Sequence, residues 1–111
     1  MVKQGDIIKI NLNPTLGHEQ SGYRPAVVVS CNTFNDVCSM TILCPITNTD
    51  NQFPLHIPLE NYSTTGFILC EQIKAVDIEA RHYKVLERLR DGDLNKLISY
   101  IKSIFDIEQS D

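Results

Sequence analysis

The sequence lacks any long apolar run. No stretch of about 18 consecutive apolar residues occurs, which excludes a transmembrane helix. The first ten residues, MVKQGDIIKI, lack the apolar core of a signal peptide, so we expect a cytoplasmic protein. Positive charge is also not in excess, since the formal net charge is -4. This balance argues against a basic surface for non-specific nucleic-acid binding, although it leaves room for a local basic site.

Cysteine and histidine are few and are not spaced as in metal sites. The cysteines are Cys31, Cys38, Cys44 and Cys70, and the histidines are His18, His56 and His82. No C-x-x-C pair occurs, so a structural metal site is not expected. Cys44 and Cys70 lie in apolar runs and are predicted to be small core residues. A disulfide framework is not expected in the cytosol.

Short apolar runs, separated by proline and glycine, fill most of the chain. At 111 residues the chain is predicted to form one domain, with residues 107–111 as a frayed tail. The predicted strands are 5–12, 25–30, 40–46, 53–59, 66–76 and 83–89. Ile8, Ile10 and Leu12 alternate as in a half-buried strand. The β-branched run 25–30 is typical of a central strand, and the two prolines of 53–59 favour an edge.

Helical periodicity is confined to the C-terminal part. The apolar residues at helical spacing are Leu94, Leu97, Ile98, Ile101 and Phe105. Asp91 is predicted to be the N-cap, and Asp93 suits the positive end of the helix dipole. The sequence therefore predicts a β-rich α+β fold, in which five to six antiparallel strands form a small barrel-like sheet and a C-terminal amphipathic helix packs on it.

Residues 13–24, NPTLGHEQSGYR, show no clear period and connect the first two predicted strands. A connection of this length in a small domain is more often functional than a minimal hairpin is. Arg24 precedes Pro25, which favours an extended and rigid position. A guanidinium held there can bind a phosphate through two parallel hydrogen bonds. An ion pair with Glu19 inside the loop is an equally weighted interpretation.

The same loop carries further polar side chains. His18 can act as a general acid or base, although a solvated loop histidine is the favoured interpretation from spacing alone. Glu19 and Gln20 can orient Arg24 or contact base edges, and they are equally consistent with ordinary surface residues.

Two other polar clusters adjoin apolar runs. Thr47 and Asn48 follow a predicted strand, where a hydroxyl can donate to an oxyanion or simply form a turn. Glu71 and Gln72 interrupt an apolar run and therefore need partners. Those partners are either the sheet, a second subunit or RNA bases. Lys74 offers a phosphate contact.

The stretch GDIIKINLNPTLGHEQSGYRPAVVVS resembles the opening of the MazF/PemK family of toxins from bacterial toxin–antitoxin systems. CPIT at 44–47 and LCEQIKAVD at 69–77 are similar to later family segments, and the likeness covers residues 4–106. The resemblance implies an SH3-like barrel, a homodimer, and an mRNA interferase that cuts single-stranded RNA without a metal or other cofactor. It also implies an antitoxin whose acidic C-terminal segment covers the groove at Arg24.

The resemblance also implies roles for individual residues. The catalytic arginine and threonine of the family fall on Arg24 and Thr47, and its loop glutamate and glutamine fall on Glu19 and Gln20. In the implied mechanism the 2′-OH of the RNA attacks the adjacent phosphorus and leaves a 2′,3′-cyclic phosphate and a 5′-OH. Because arginine stays protonated, we hypothesise that His18 or Glu19 shares the proton transfer.

The expected RNA contacts extend beyond the catalytic pair. Tyr23 and Phe53 are candidates for stacking on bases. The other predicted RNA-binding residues are Gln20, Asn48, Glu71, Gln72 and Lys74. Sequence specificity is expected to lie in loops 13–23 and 48–53. The alternatives are a non-catalytic SH3-like binding module and a toxin that poisons a protein target such as gyrase. The presence of both Arg24 and Thr47 favours the nuclease.

Overall fold

A computed structural model describes residues 1–49 and 53–109. The chain runs through seven strands and two α-helices in the order β1 (Asp6–Asn11), β2 (Tyr23–Val28), α1 (Asn32–Val37), β3 (Thr41–Thr47), β4 (His56–Pro58), β5 (Phe67–Leu69), β6 (Lys74–Val76), β7 (Tyr83–Arg88) and α2 (Asp91–Ile104). Two 3-10 helices, Cys70–Gln72 and Ile78–Ala80, flank β6. None of the described helices is long and apolar enough to cross a membrane.

The strands form one antiparallel sheet with the order β4-β5-β3-β2-β1-β7, and β6 pairs with the first part of β3. β2 and β3 therefore lie at the centre, and β4 lies at an edge, as the two prolines of 53–59 predict. The predicted β-rich class with a C-terminal helix is confirmed. The sheet has seven strands because the segment 66–76 does not form a single strand.

Two apolar clusters lie on opposite sides of the central strands. On one side Ile7, Val27 and Ile46 pack under helix α2, whose Leu97 is fully buried. The second apolar cluster lies on the other side and includes Ile8, Ile10, Leu12, Ala26, Val28 and Leu43. β1 was expected to be half-buried, with only the alternate residues from Ile8 inside. Its Ile7 is also buried, because α2 covers the face that the alternation assigns to solvent.

The predicted strand 66–76 is interrupted in its middle. β5 ends at Leu69, the 3-10 helix Cys70–Gln72 follows, and β6 starts at Lys74. β5 pairs with the last part of β3, whereas β6 pairs with the first part of β3. The single 66–76 strand was therefore a wrong prediction, since the polar pair Glu71 and Gln72 leaves the sheet at this point. Neighbouring residues of a strand point to opposite faces, and the 3-10 turn removes that alternation.

Both helices differ in part from the sequence-based expectations. α1 was not predicted, because its six residues carry no periodic apolar pattern. Helix α1 is held by buried Asn35, whose amide donates to the carbonyl of Ser30 at 3.0 Å.

Helix α2 begins with Asp91 as its first helical residue, so the N-cap is Arg90 and not Asp91. Asp93 lies in the first turn, where its negative charge suits the helix dipole as expected. Residues 107–109 of the predicted tail follow α2 without regular structure, and 110–111 lie outside the described residues.

Candidate active site

A cleft of about 580 Å³ opens where the loop between β1 and β2 meets the end of β3. Its lining residues are His18, Gln20, Arg24, Thr47, Thr49, Phe53, His56, Leu69, Glu71 and Gln72. Four separate parts of the chain thus supply polar side chains to one concave surface. Such a convergence of polar groups in a pocket is typical of a binding or catalytic site.

The sheet register brings Arg24 and Thr47 together. Ala26 of β2 lies opposite Pro45 of β3. Arg24 and Thr47 each lie two residues beyond this last pair, and side chains two apart share a face of a strand. Both residues line the cleft. Two central strands therefore supply a cation and a hydroxyl to one surface.

Arg24 is half-buried and is anchored from one side. Its Nε donates to the carbonyl of Ser21 at 2.6 Å. Within residues 1–49 and 53–109 its terminal nitrogens form no other hydrogen bond or ion pair. Glu19 does not form the ion pair considered above, because no such pair occurs among the described residues. The carboxylate of Glu19 accepts a hydrogen bond from the backbone N–H of Leu16 at 2.8 Å instead. The guanidinium is therefore not neutralised by its own loop.

Thr47 ends β3 and is only 6% exposed. Its hydroxyl oxygen accepts a hydrogen bond from the backbone N–H of Thr49 at 3.2 Å. Thr47 therefore has the turn role that its sequence position allows, while its hydroxyl proton stays available for a second acceptor. A strand-end hydroxyl held in this way can donate to an anionic oxygen.

The loop between β1 and β2 reaches the cleft through His18 and Gln20. His18 is exposed on the loop. The backbone N–H of Gln20 donates to the side-chain carbonyl of Gln72 at 3.0 Å, so Gln72 ties the loop to the 3-10 helix. The other predicted loop residue, Glu19, lines a smaller depression together with Lys74.

The remaining predicted site residues lie next to the cleft. Tyr23 and Asn48 line a second depression, which shares Arg24 with the cleft. Glu71 and Gln72 line both the cleft and the smaller depression that contains Lys74. The structure thus brings all the predicted residues onto three adjoining surfaces, with Arg24, Thr47 and His18 in the central one. Of the predicted specificity loop 48–53, residues 50–52 lie outside the described residues.

The sequence analysis missed His56. Its Nε2 lies 3.1 Å from Oε2 of Glu71, and its side chain is 5% exposed. Its ring also meets the ring of Phe53 edge to face, with centroids 5.4 Å apart. A single imidazole inside the apolar edge segment PLHIP was the available indication, since a polar residue in such a run needs partners.

The two buried thiols beneath the cleft are not reactive groups. Burial raises the pKa of Cys70 to about 12, and the neighbouring Glu71 carboxylate adds to this effect. Burial likewise raises the pKa of Cys44 strongly. Both thiols therefore stay protonated near neutral pH, as expected for core residues. Over residues 1–49 and 53–109, no three His, Cys, Asp or Glu side chains are grouped as metal ligands are.

These observations define a small β-sheet protein with a polar cleft lined by an arginine, a threonine and a histidine-bearing loop. The family model described as PemK-like, MazF-like toxin of type II toxin-antitoxin system matches residues 3–105. The chain belongs to this family.

Curated relatives agree with this assignment. Endoribonuclease PemK of Escherichia coli is 32% identical over 108 residues, which are 93% of this chain and 81% of that protein. Endoribonuclease toxin ChpB of Escherichia coli (strain K12) is 31% identical over 110 residues, with 92% of each chain covered.

Solved structures show the same fold. MazF (Form-I) from Deinococcus radiodurans superposes with a TM-score of 0.87 at 26% identity, covering 94% of this chain and 96% of that chain. A MazE–MazF structure (Form-II) from the same organism gives a TM-score of 0.81 at 26% identity and covers 94% of this chain and 95% of that chain. The barrel-like sheet with a C-terminal helix is therefore the architecture of known MazF proteins.

Proposed function

We propose that this chain is the toxin of a type II toxin–antitoxin system, acting as one cytoplasmic domain that cuts single-stranded mRNA at a short sequence. The chain is an endoribonuclease, and the observation that carries this proposal is the shared cleft of Arg24 and Thr47. Family membership and the curated endoribonuclease relatives support it. The cleft supplies a cation and a hydroxyl donor, which are the groups that a phosphodiester needs.

The reaction uses a nucleophile that belongs to the substrate. The 2′-oxygen of the RNA forms a bond to the adjacent phosphorus, and the bond from phosphorus to the 5′-oxygen breaks. The products are a 2′,3′-cyclic phosphate and a 5′-OH. The protein therefore has to align the ribose with the phosphate, stabilise the added negative charge and move protons. This chemistry requires neither a metal nor another cofactor.

Each cleft residue has a distinct role in this proposal. The terminal guanidinium nitrogens of Arg24 bind the non-bridging oxygens of the phosphorane, and the Thr47 hydroxyl donates to one of them. His18 accepts the proton of the 2′-OH, and water protonates the departing 5′-oxygen. The choice of His18 over Glu19 is supported by the contact of the Glu19 carboxylate with Leu16, which keeps that carboxylate on its own loop. Gln20, Tyr23, Asn48, Glu71, Gln72 and Lys74 contact the RNA strand.

Two kinds of protein partner accompany this function. The MazE–MazF structures among the neighbours support an antitoxin as the first partner, with an acidic segment covering the groove at Arg24. A second copy of the chain is the other partner. Large apolar side chains on β2 and β7, Tyr23, Val85 and Leu86, are exposed and support a homodimer. Light scattering of the purified protein measures this directly.

The test is cleavage of a long single-stranded RNA in excess EDTA, with the new ends mapped. We expect discrete cuts with 5′-OH ends, and we expect Arg24→Ala and Thr47→Ala each to lower the rate about 100-fold or more. His18→Gln should lower the rate and change its pH profile. Thr33→Ala, at an exposed threonine of α1, is the control and should cut normally.

Three outcomes contradict the proposal or one of its parts. Equal cutting by wild type and Arg24→Ala would remove Arg24 from the reaction. Growth arrest by a protein that cuts no RNA of varied sequence would point to a protein target such as gyrase. An unchanged rate at every pH in His18→Gln would remove the histidine from proton transfer.

A further inference from the structure

One wall of the cleft contains an aromatic ring that is still open to a ligand. Phe53 lies just before β4 and is 45% exposed. It lines the same cleft as Arg24 and Thr47. An unpaired base of a single strand stacks readily on such a ring, because every base has an aromatic face.

The ring of Phe53 packs against a second aromatic ring, which restrains its orientation. The ring of His56 meets it edge to face at 62°, with ring centroids 5.4 Å apart. His56 is in turn held by its Nε2, 3.1 Å from Oε2 of Glu71. Phe53, His56 and Glu71 thus form a chain of contacts from the ring to the 3-10 helix. A preformed platform binds a base with less loss of conformational entropy than a freely rotating ring does.

The carboxylate at the end of this chain is unusual for a cleft that binds phosphate. Glu71 has a side chain 33% exposed, and it lines the same cleft as Arg24. A carboxylate repels a phosphodiester, so its position in the cleft is better explained by a contact with another part of the RNA. An ionised carboxylate is only an acceptor, and its second oxygen and remaining lone pairs need donors.

The bases differ in the donors that they offer. Adenine, cytosine and guanine carry an exocyclic amino group, and uracil carries none. Glutamate accepts from such amino groups in known nucleic-acid contacts. Because Phe53 and Glu71 line the same cleft, a base stacked on Phe53 that reaches Glu71 with its edge is selected for an amino group. His56 orients the carboxylate for this contact.

We propose that Phe53, His56 and Glu71 form a base subsite, which stacks one unpaired base of the substrate RNA and requires an exocyclic amino group on it. This inference rests on the proposed function, since it assumes an RNA strand in the cleft. Glu71 contacts the amino group, Phe53 supplies the stacking surface, and His56 is a positioning residue.

The test begins with the recognition sequence found by end mapping. Each base of that sequence is replaced in turn by its analogue without the amino group: inosine for guanosine, zebularine for cytidine and purine riboside for adenosine. At one position we expect the wild type to lose about 10- to 100-fold in kcat/KM, as for the loss of one good base contact. Glu71→Gln should lose less than about 3-fold there, because removing the negative charge weakens the hydrogen bond from the amino group.

The other variants separate stacking from edge contact. Phe53→Leu should weaken cleavage of every RNA about equally, since stacking is tolerant of sequence. Phe53→Tyr keeps an aromatic ring and should cut about as fast as the wild type. His56→Gln should reduce the discrimination between the natural base and its analogue without the amino group, at the same RNA position that Glu71→Gln affects. Glu79→Gln is the matched control, because Glu79 is also the middle residue of a 3-10 helix and lies outside the cleft. A purely structural role of His56 and Glu71 would lower thermal stability and leave base discrimination unchanged.

Binding of RNA with a 2′-deoxyribose at the scissile position distinguishes the two proposals. The Kd of the wild type should differ between RNA with the amino group and RNA without it, and this difference should be lost in Glu71→Gln. That result supports the subsite even if the protein cuts no RNA. Arg24-dependent cleavage with equal analogue effects in wild type and Glu71→Gln overturns the subsite and leaves the nuclease standing. If the wild type neither binds nor cuts RNA, both proposals are wrong.

Discussion

Two long loops meet the same central strands and are held in different ways. The β1–β2 loop (residues 12–22) carries His18, and the β4–β5 loop (residues 59–66) passes behind the end of β3. The β4–β5 loop is bonded to the body of the protein at several points. The carboxylate of Glu87 accepts from the backbone N–H groups of Ser63 and Thr64, at 3.2 and 2.7 Å. The hydroxyl of Tyr62 donates to Asp93 at 2.6 Å.

The β1–β2 loop is bonded mainly at its base. The backbone N–H of Leu12 donates to the carbonyl of Gly22 at 2.8 Å. Arg81 Nη1 donates to the carbonyls of Asn11 and Asn13, at 2.7 and 2.8 Å. The tip, residues 16–19, is exposed throughout.

This difference separates support from contact with substrate. The β4–β5 loop fixes the backbone behind Thr47, whereas the β1–β2 loop leaves His18 free to meet a ligand. Regions with few buried contacts and exposed backbone are also the regions that open most readily. We therefore expect substitutions in the first loop to affect cleavage, and substitutions in the second loop to affect stability.

Gly66→Ala should have the largest effect on stability. Gly66 has φ of +125°, and a Cβ there would lie 2.5 Å from the carbonyl oxygen of Thr47. We expect it to lower the free energy of unfolding by about 2–5 kcal/mol, from backbone strain and overpacking together. Urea denaturation measures this.

Gly17→Ala is the matched control in the other loop. Gly17 also has positive φ, at +60°, but a Cβ there would meet nothing within 4 Å. Only the conformational penalty of about 1–2 kcal/mol should remain. An equal loss in both variants would show that the close approach to Thr47 contributes nothing.

Tyr62→Phe should have the next largest effect. It removes the hydroxyl that donates to Asp93 and accepts from the backbone N–H of Arg90 at 2.8 Å. We expect a loss of about 1 kcal/mol in the free energy of unfolding. Tyr100→Phe is the control, because no hydrogen bond involves that hydroxyl among the described residues. A loss as large in the control would mean that the Tyr62 contacts do not stabilise the loop.

Glu87 should make stability depend on pH. Burial alone would raise the pKa of Glu87, but hydrogen bonds from the Thr64 hydroxyl and from the backbone N–H groups of Thr64 and Ser63 lower it below its ordinary value of 4.5. The lowered pKa means that Glu87 stabilises the fold above pH 4.5, and that this contribution is lost as pH falls through the folded-state pKa. Denaturation of wild type and Glu87→Gln at pH 7 and pH 3 tests this. The difference between them should shrink at the lower pH, and a constant difference would contradict the assignment.

Gln72→Met should have the smallest effect on stability, within about 0.5 kcal/mol. It removes the acceptor for the backbone N–H of Gln20 and releases the β1–β2 loop from the 3-10 helix. Because a small displacement of a catalytic group is costly, we expect kcat/KM for RNA to fall about 10-fold or more. Gln72→Glu keeps an acceptor oxygen and should retain more activity. Full activity in Gln72→Met would show that this contact does not position His18.

Much of the fold was predictable from local patterns. The predicted edge strand is β4 and the central β-branched run is β2, because prolines and β-branched residues restrict the backbone wherever they occur. The buried state of Cys44 and Cys70 is also confirmed. The 3-10 turn at Cys70–Gln72 was not predictable in this way. An apolar run with two polar residues fits a strand locally, and only the pairing of its two halves with different parts of β3 shows where it breaks.

The sequence by itself determined the β-rich class, the C-terminal helix and the resemblance that singles out Arg24 and Thr47. These properties follow from periodicity and from residues that are close in the chain. Only the tertiary structure decided that Arg24 and Thr47 line one cleft, that Glu19 turns to its own loop, and that His56 joins Phe53 to Glu71. The physical reason is that Arg24 and Thr47, like His56 and Glu71, are far apart in sequence, so strand pairing and packing bring them together rather than a local pattern. The Glu19 contact with Leu16 is local, but the sequence allowed an ion pair with Arg24 equally well, and only the folded loop shows which partner is used.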